Sequence, residues 1–342
     1  MSTFALVPSF KLIRWLLFPF LLIYAVIVWI RNLYFDYLWI KRRCVPPLYC
    51  IVVGNLSTGG TGKTPFVLHL LKRELADFPQ VENNQKPIIA VLSRGYGRSS
   101  TGFRYVKSSD SHLDVGDEPL MMRNLTDSRV VFAVCEDRMK GLEILKTDHP
   151  HLTKVILDDA FQHRAVHANE YFLLTTFDKP FFSDYLLPVG RLREFRNGAS
   201  RANHVVITKC PQHFPESLKN EMLNECAKYT NADVSFARLE YGEILCVQGD
   251  SQLKNYNNFL LVTGIANFFP LTDYLLQENI SFEHLAFPDH KNFSPADINN
   301  ILKSLEGNQA ILTTEKDWVR LRNLVPGKVS VFVQPVHHVF DS

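Results

Sequence analysis

Residues 48–75 read LYCIVVGNLSTGGTGKTPFVLHLLKREL. The first six residues form an apolar run of strand length, the middle is a glycine-rich loop that ends in GKT, and the last part has apolar residues at helical spacing. A strand, a glycine loop and a helix in this order are the setting of a phosphate-binding P-loop. The segment therefore predicts an α/β domain of the P-loop NTPase type that binds a nucleoside triphosphate.

The loop residues have distinct predicted roles. Backbone N–H groups of the glycine turn surround phosphates, and the helix N-terminus faces the negative charge. We expect Lys63 to reach the β- and γ-phosphates of ATP and Thr64 to coordinate Mg²⁺. The predicted nucleotide-binding residues are Ser57, Thr58, Gly59, Gly60, Thr61, Gly62, Lys63 and Thr64. Ser57 replaces the first glycine of the GxxxxGK[ST] pattern, and its small side chain is compatible with the turn. The alternative is a chance glycine-rich loop, which the flanking strand and helix disfavour.

Five further apolar runs follow in the rhythm of a parallel sheet. They are residues 87–93, 129–134, 154–159, 171–176 and 204–209. Continuous apolar runs are typical of strands that helices cover on both faces. The run VILDD ends in Asp158 and Asp159, which is the Walker B arrangement, so we predict that these carboxylates hold the metal ion. Either carboxylate alone could instead cap a helix.

The N-terminal segment is strongly apolar. Residues 15–30, WLLFPFLLIYAVIVWI, are sixteen residues without a charge. A spanning helix needs about 20 apolar residues, and Pro19 is expected to kink this one. The run predicts a membrane-associated helix that spans or lies in one leaflet, with aromatic side chains at headgroup level and basic residues facing the cytoplasm. The aromatic residues are Trp15, Tyr24, Trp29, Tyr34 and Trp39, and the basic ones are Arg31, Lys41, Arg42 and Arg43. A buried helix of a soluble protein is the alternative.

Length and composition limit the remaining choices. A chain of 342 residues suggests two domains, and we predict an anchoring segment at 1–43, a P-loop domain at 44–235 and a smaller α/β domain at 236–342. The change of composition near 232–258 marks the boundary, and a final strand at 329–336 is expected to pair with 234–246. The net charge of +2 argues against a nucleic-acid partner. The six cysteines are scattered, which argues against zinc and for a reducing compartment.

Ten short motifs give the sequence a more specific signature. They are GNLSTGGTGKTP (54–65), LSRGYGR (92–98), DVGDEP (114–119), EDR (136–138), LDDAFQHR (157–164), LPVGRLRE (187–194), ITKCP (207–211), VTGIAN (262–267), FPDHKNFS (287–294) and TTEKD (313–317). In this order and spacing they resemble the tetraacyldisaccharide 4'-kinase family over nearly the whole chain. That family usually has glycine where this chain has Ala160, and we expect a slightly altered turn with metal binding preserved.

The resemblance implies an activity and a place in the cell. Members transfer the γ-phosphate of ATP to the 4'-hydroxyl of an acylated glucosamine disaccharide 1-phosphate, forming lipid IVA, at the cytoplasmic face of the bacterial inner membrane. The implied association is peripheral or monotopic, the implied partners are the lipid substrate and the membrane surface, and no obligate protein partner is inferred. A membrane-bound nucleotide switch or scaffold that phosphorylates no small acceptor is the alternative.

The resemblance also implies residue roles. Asp117 is the expected proton acceptor, His290 from a second domain assists it, and Glu118 lies closer to the metal. The motif loops also carry basic residues that could clamp phosphate groups of ATP or of the lipid, namely Arg94, Arg98, Arg138, Arg164, Arg191 and Arg193. Among these, Arg94, Arg191 and Arg193 are the predicted substrate-binding residues. ITKCP is a weaker candidate for the adenine site.

Overall fold

The structure is a computed structural model that describes residues 9–38, 46, 48–76, 88–249, 252–256 and 258–340, without the side chains of residues 9–16, 38 and 254. The strands, in chain order, are β1 Tyr49–Asn55, β2 Ile89–Ser93, β3 Arg104–Tyr105, β4 Val130–Val134, β5 Lys154–Asp158, β6 Glu170–Thr176, β7 His204–Thr208, β8 Asp233–Tyr241, β9 Leu245–Gln248, β10 Phe259–Thr263, β11 Phe282–Ala286, β12 Ala310–Thr314, β13 Val331–Gln334 and β14 Val336–Phe340. The helices are α1 Ser9–Leu33, α2 Lys63–Ala76, α3 His112–Val115, α4 Asp117–Asn124, α5 Arg138–Asp148, α6 Glu216–Ala227, α7 Phe269–Gln277, α8 Pro295–Lys303 and α9 Glu315–Leu321.

The first sheet has the strand order β14-β8-β7-β6-β1-β5-β2-β4-β3. All neighbours in it run parallel except the two edge pairs, β14 with β8 and β3 with β4. The strands predicted from the five apolar runs are β2, β4, β5, β6 and β7, within two residues at each end. The prediction of a P-loop-type α/β fold with a large parallel sheet is therefore confirmed.

Successive side chains of β1 point to opposite faces of the sheet, and all residues from Cys50 to Asn55 are buried. Cys50 and Val52 belong to one hydrophobic cluster, and Ile51 and Val53 belong to the other. Helices α2 and α4 cover the second cluster, whereas α5, α6 and part of α1 cover the first. The sheet is thus buried on both faces, which explains why its strands read as continuous apolar runs.

The second sheet has the order β11-β10-β12-β13-β9, and only β9 is antiparallel to its neighbour. Separate hydrophobic clusters lie on its two faces. This is the predicted second, smaller α/β unit. Its parallel strand β10 ends in a loop that carries residues of VTGIAN, and β12 leads directly into α9 with residues of TTEKD, so both motifs lie at one edge of the sheet.

The chain passes between the two sheets at residues 242–244 and returns at Pro335. The predicted boundary at 235/236 falls inside β8, which continues to Tyr241 because its backbone pairs with β14 over 237–241. The last strand therefore belongs to the first sheet. The predicted final strand at 329–336 corresponds to β13, which pairs with β9 and β12, and it is Val336–Phe340 that pairs with β8.

Helix α1 continues through Pro19 and ends in a π-helical turn at Tyr34–Leu38. Residues 17–37 are long and apolar enough to cross a membrane, and only 6% of the apolar window is buried. Trp29 and Tyr34 are exposed, as predicted. Tyr24 instead packs on the body, where its hydroxyl donates to the Arg193 carbonyl at 2.8 Å. The side chain of Trp15, and Trp39, Lys41, Arg42, Arg43 and Cys44, lie outside the described residues.

The described cysteines are thiols that form no disulfide with one another. Cys50, Cys135, Cys210 and Cys226 are buried in the first hydrophobic cluster, which agrees with their prediction as small core residues. Cys246 is exposed on β9.

Candidate active site

The P-loop, residues 56–62, joins β1 to α2 and is held from both sides. Thr58 N donates to the Arg191 carbonyl at 2.8 Å, and Arg193 N donates to the Leu56 carbonyl at 2.7 Å. On the other side, Thr208 Oγ1 donates to the Thr61 carbonyl at 2.9 Å. Neighbouring segments thus fix the path of the loop before any nucleotide binds. Ser57 lies in this part of the loop, where it is buried and forms an isolated antiparallel β-bridge with Leu192.

Position 62 requires glycine for two reasons, its backbone conformation and the close approach of the His338 side chain. Its φ is +78°, and an added Cβ would lie 2.9 Å from His338 Nε2. His338 comes from β14, and its Nε2 lies 2.9 Å from the Gly62 carbonyl. A carbonyl only accepts hydrogen bonds, so Nε2 carries the proton. The last strand of the chain is therefore hydrogen-bonded to the last turn of the P-loop.

We expect His338→Phe to raise the KM for ATP about tenfold. The substitution removes the side-chain donor of the Gly62 carbonyl, which then accepts from the Phe66 N–H but no longer from β14, at a cost of about 0.5–1.5 kcal/mol. Burial lowers the pKa of His338 to about 4, so the ring is neutral and this effect should not change between pH 6 and 8. Steady-state kinetics checks this, with His338→Gln, which keeps a donor, and with the exposed neighbour changed as His337→Phe. If the three variants had the same KM for ATP, the hydrogen bond from His338 to the Gly62 carbonyl would have no role in ATP binding.

The predicted metal-binding carboxylates lie at the end of β5, where Asp158 is the last residue of the strand and Asp159 follows it. Asp159 lies 3.5 Å from Lys63 Nζ and 3.1 Å from Arg193 Nη2, and its φ is +45°. Burial alone would raise the pKa of Asp159, but the charges of Lys63 and Arg193 outweigh it and lower that pKa. The P-loop lysine is thus held by a carboxylate of the Walker B segment.

Asp158 is buried with one oxygen satisfied. Its Oδ2 accepts from Ser93 Oγ at 3.0 Å, whereas its buried Oδ1 has no hydrogen-bond partner among the described residues. Burial, followed by the charges of Glu118 and Asp159, raises the pKa of Asp158 to about 7. Thr64 is buried in the first turn of α2. An unpaired carboxylate oxygen, a second carboxylate and a hydroxyl suit the oxygen preference of Mg²⁺.

The protein alone does not complete a metal centre. Within the described residues, no group of three or more His, Cys, Asp or Glu side chains could hold a metal ion. A Mg²⁺ site made of one or two carboxylates normally takes its other ligands from substrate phosphates and water. The residues present therefore fit Mg²⁺ that arrives with ATP.

The raised pKa of Asp158 predicts that Mg-ATP binding is coupled to proton release. Below about pH 7 the free carboxyl is protonated, and a cation favours the ionised form, so binding should tighten by up to about tenfold per pH unit as pH rises toward 7 and then level off. Calorimetry in two buffers of different ionisation enthalpy measures the released proton. Asp158→Asn, which cannot ionise, should show the proton release of ATP alone, and wild-type release in this variant would contradict the coupling.

The two sheets meet at Asp117 and His290. Asp117 begins α4 and is 9% exposed. Its Oδ1 accepts from Glu118 N at 2.9 Å, and its Oδ2 lies 3.1 Å from His290 Nδ1. The structure therefore brings together the two residues that the sequence placed in DVGDEP and FPDH. Because an ionised carboxylate only accepts hydrogen bonds, Nδ1 of His290 is the donor.

Arg320 completes this contact and was missed in the sequence. Its guanidinium, with 1% of the side chain exposed, binds Asp117 Oδ2 and lies 3.2 Å from Asp317 Oδ1. Burial alone would raise the pKa of Asp117, but Arg320 lowers it, so the Asp117 carboxyl is ionised at neutral pH. One feature of the sequence could have pointed to Arg320. It follows Asp317 of TTEKD by three residues, so a helix places both residues on the same face.

His290 is less enclosed than its partner. Its side chain is 44% exposed, its φ is +56°, and its Nε2 lies 3.1 Å from Lys316 Nζ. Exposed Tyr96, from the LSRGYGR loop, lies 6.4 Å away between ring centroids. The imidazole thus stands between a buried carboxylate and open solvent, as a group that contacts an entering acceptor would.

Comparison with known proteins identifies the family. The family model described as LpxK, Tetraacyldisaccharide-1-P 4'-kinase, matches residues 13–342. The chain belongs to this family. A tetraacyldisaccharide 4'-kinase of Cytophaga hutchinsonii is 40% identical over 309 residues, which cover 90% of this chain and 85% of that protein. The corresponding protein of Flavobacterium johnsoniae is 38% identical, with 92% and 89% covered.

A solved member of the LpxK family has the same fold. The crystal structure of the "apo" form of LpxK from Aquifex aeolicus in complex with ATP has a TM-score of 0.74 and 27% identity to this chain. The similarity covers 96% of this chain and 95% of that one. It therefore extends over the P-loop, both sheets and the N-terminal helix.

The arginines predicted to bind substrate have different surroundings in this LpxK family member. Arg193 contacts Asn55 and Asp159 beside the P-loop. Arg191 is paired with Asp184 at 2.9 Å. Arg94 is exposed in the loop after β2. Ala160 is buried at the start of the turn after Asp159, and its N–H donates to the Val53 carbonyl at 3.3 Å.

Proposed function

We propose that this chain transfers the γ-phosphate of ATP to the 4'-hydroxyl of a tetraacyldisaccharide 1-phosphate, the reaction for which its relatives are named. The observation that carries the proposal is the contact of Asp117 with His290 across the two sheets. A protein that only binds ATP has no use for a carboxylate–imidazole pair outside its P-loop. A kinase needs such a pair to receive the proton of the acceptor hydroxyl.

In this reaction the 4'-oxygen forms a bond to the γ-phosphorus, the bond from that phosphorus to the β-phosphate oxygen breaks, and ADP leaves. The hydroxyl proton passes to Asp117. His290 and Arg320 bind Oδ2 of that carboxylate, whereas among the described residues Oδ1 accepts only the backbone N–H of Glu118, so Oδ1 keeps capacity for the proton. Arg320 and His290 orient the carboxylate and hold it ionised.

The P-loop side supplies the positive charge. When ATP binds, Lys63 would leave Asp159 and contact the β- and γ-phosphates. The backbone N–H groups of 57–64 would surround the same phosphates. Thr64, Asp158, Asp159 and Glu118 are the proposed metal-site residues, and Mg²⁺, when bound, neutralises charge on the β- and γ-phosphate oxygens. Arg193, beside Asp159, and the exposed Arg94 are available to anionic groups of either substrate. Arg191, paired with Asp184, positions the loop through its carbonyl.

A 4'-deoxy analogue of the acceptor separates a kinase from a nucleotide switch. The analogue keeps the acyl chains and the 1-phosphate but has no hydroxyl to phosphorylate. For a kinase, ADP formation should follow the concentration of the true acceptor and be inhibited by the analogue. A switch would release ADP at a rate that is equal with the acceptor, the analogue or neither, and this outcome would refute the proposal.

We place the protein at the cytoplasmic face of the bacterial inner membrane, peripheral or monotopic, through α1. The exposed apolar side chains of this helix support the placement, because Ile23 and Ile27 are 59% and 58% exposed. No contact with the protein body accounts for such exposed side chains, whereas a lipid leaflet does.

The double substitution Ile23→Lys and Ile27→Lys should shift the chain from the membrane to the soluble fraction. Each charge on the lipid-facing side opposes insertion by up to about 2.5–3.5 kcal/mol, the cost of a lysine at the centre of a spanning helix. The measurement is fractionation and vesicle flotation of the full chain. Leu125→Lys, at an exposed site on the body, is the matched control, and equal flotation of all three proteins would contradict the anchor.

A further inference from the structure

A cavity of about 200 Å³ lies behind the Walker B segment, lined by cationic and aromatic side chains. Its walls include His163, Arg164, His167 and Arg201, with the rings of Phe161 and Tyr171. His163 and Arg164 belong to the FQHR half of LDDAFQHR, which the phosphoryl-transfer site does not use. The cavity is large enough for a phosphate group together with part of what it is attached to.

Several nitrogen atoms around the cavity are buried without a hydrogen-bond partner among the described residues. In the cavity wall they are Arg164 Nε, Arg201 Nε and His163 Nε2. Arg31, in the last turn of α1, does not line the cavity, but its charge acts on Arg201, and its buried Nε and Nη2 also have no partner among the described residues. Buried donors without partners are costly, and a group of them at one place indicates an absent acceptor. Three of the four side chains carry a positive charge, so that acceptor is expected to be an anion.

The positive charges are close enough to affect one another. Burial lowers the pKa of Arg201, Glu194 opposes that shift, and the neighbouring charges of Arg164 and Arg31 add to it. Arg201 is paired with Glu194, and Arg164 is paired with Asp36. The carboxylates therefore do not fully offset the electrostatic repulsion between the arginines, whereas a bound anion would.

The position of the cavity relative to α1 indicates which anion. Arg164 binds Asn32 and Asp36, at the end of α1 and in the π-helical turn that follows it. The preceding turns of this helix expose Trp29 and Ile30, which are 56% and 55% exposed. Where an apolar helix ends in arginine, the adjoining layer is that of the lipid headgroups. With α1 in the membrane as proposed above, the cavity lies at the level of the lipid phosphate groups.

We propose that this cavity binds the headgroup phosphate of an anionic membrane phospholipid through Arg164 and Arg201, with the charge of Arg31 adding to the attraction. The acyl chains of the bound lipid would lie along the exposed face of α1. The site is separate from the acceptor site, because its rings pack in the hydrophobic cluster that α1 covers, whereas α4, which carries Asp117, packs on the opposite face of the sheet. Such a lipid would fix the orientation of the protein body on the membrane.

The test is native mass spectrometry of the full chain in an uncharged detergent, titrated with phosphatidylglycerol and, separately, with zwitterionic phosphatidylcholine. We expect one phosphatidylglycerol to be retained per chain, with clear preference over phosphatidylcholine. Arg164→Gln should weaken this binding about tenfold, since it removes a charge-assisted contact. Asp36→Asn should strengthen it, because it removes the carboxylate that competes for Arg164.

Two variants control the interpretation. Arg73→Gln removes an exposed arginine of α2 and should leave lipid binding unchanged. His167→Gln changes an exposed wall residue whose loss does not threaten folding and should weaken binding by a smaller factor. Asp36 is 49% exposed, so losing Arg164 leaves no buried unpaired carboxylate, and a thermal unfolding scan verifies that Arg164→Gln is folded.

Three outcomes would overturn the proposal. The first is equal phosphatidylglycerol binding by Arg164→Gln and Arg73→Gln. The second is a raised KM for the tetraacyldisaccharide 1-phosphate in Arg164→Gln with phosphatidylglycerol binding unchanged, which would assign the cavity to the acceptor's own phosphate. The third is competition by millimolar inorganic phosphate that fully displaces the lipid, which would show a site for free phosphate.

Discussion

Lys63→Ala should lower phosphoryl transfer about 10²–10³-fold while the protein remains folded. Lys63 is the cation of the P-loop, and removing one group that stabilises the developing charge has a cost of this size. In the structure its Nζ lies 3.5 Å from Asp159, and Arg193 remains beside that carboxylate when the lysine is absent. The measurement is the initial rate of ADP formation with saturating acceptor.

Lys72→Ala is the matched control for this substitution. Lys72 lies in the same helix, α2, and is exposed. Its loss should leave the rate unchanged. If Lys63→Ala and Lys72→Ala had equal rates close to wild type, the P-loop lysine would have no part in the reaction.

Asp117→Asn and His290→Ala should each lower kcat about 10²–10⁴-fold, the usual contribution of a general base. Because the two side chains form one unit at 3.1 Å, the double variant should be little slower than the slower single variant. The KM for ATP should change little, since neither residue belongs to the P-loop. The measurement is kcat for the four proteins of this cycle under saturating substrates.

His213→Ala provides the control for the cycle, since His213 is exposed and distant in sequence from both motifs. Its kcat should equal that of the wild type. Losses that multiply in the double variant would instead assign Asp117 and His290 to independent roles. A wild-type rate for Asp117→Asn would remove the carboxylate from the reaction.

Local sequence predicted the P-loop and the parallel sheet because both depend on neighbours in the chain. Strand length, glycine position and helical spacing are visible within 48–75, and continuous apolar runs mark strands buried on both faces. The pairing of Asp117 with His290 came from the family resemblance, since 173 positions separate the two residues. Spacing alone offers no reason to join them.

The contacts that local patterns could not reveal are those between distant elements. Arg320 reaches Asp117 over 203 positions, and His338 reaches Gly62 over 276. Each depends on how the second sheet and the final strand return to the first sheet. The predicted boundary at 235/236 lies inside β8 for the same reason, because the extension of β8 to Tyr241 is stabilised by β14, from the far end of the chain.

For the N-terminal helix, too, local sequence predicts some features and contacts with distant residues decide the others. Its apolar character is evident in residues 15–30, and the exposure of its outer face follows. Which side packs on the body is decided by partners far along the chain. Tyr24 turns inward to the Arg193 carbonyl, and the turn after the helix is bound by Arg164. The helix is therefore connected directly to the loop beside the P-loop.

The most direct measurement of the central claim is transfer of ³²P from γ-labelled ATP to purified tetraacyldisaccharide 1-phosphate by the full chain in detergent with Mg²⁺. We predict that label appears in the lipid, at the 4'-oxygen, with one ADP formed for each labelled lipid, and that Asp117→Asn lowers both rates about 10²–10⁴-fold. Label that appears only in inorganic phosphate, at a rate indifferent to the lipid, would contradict the account.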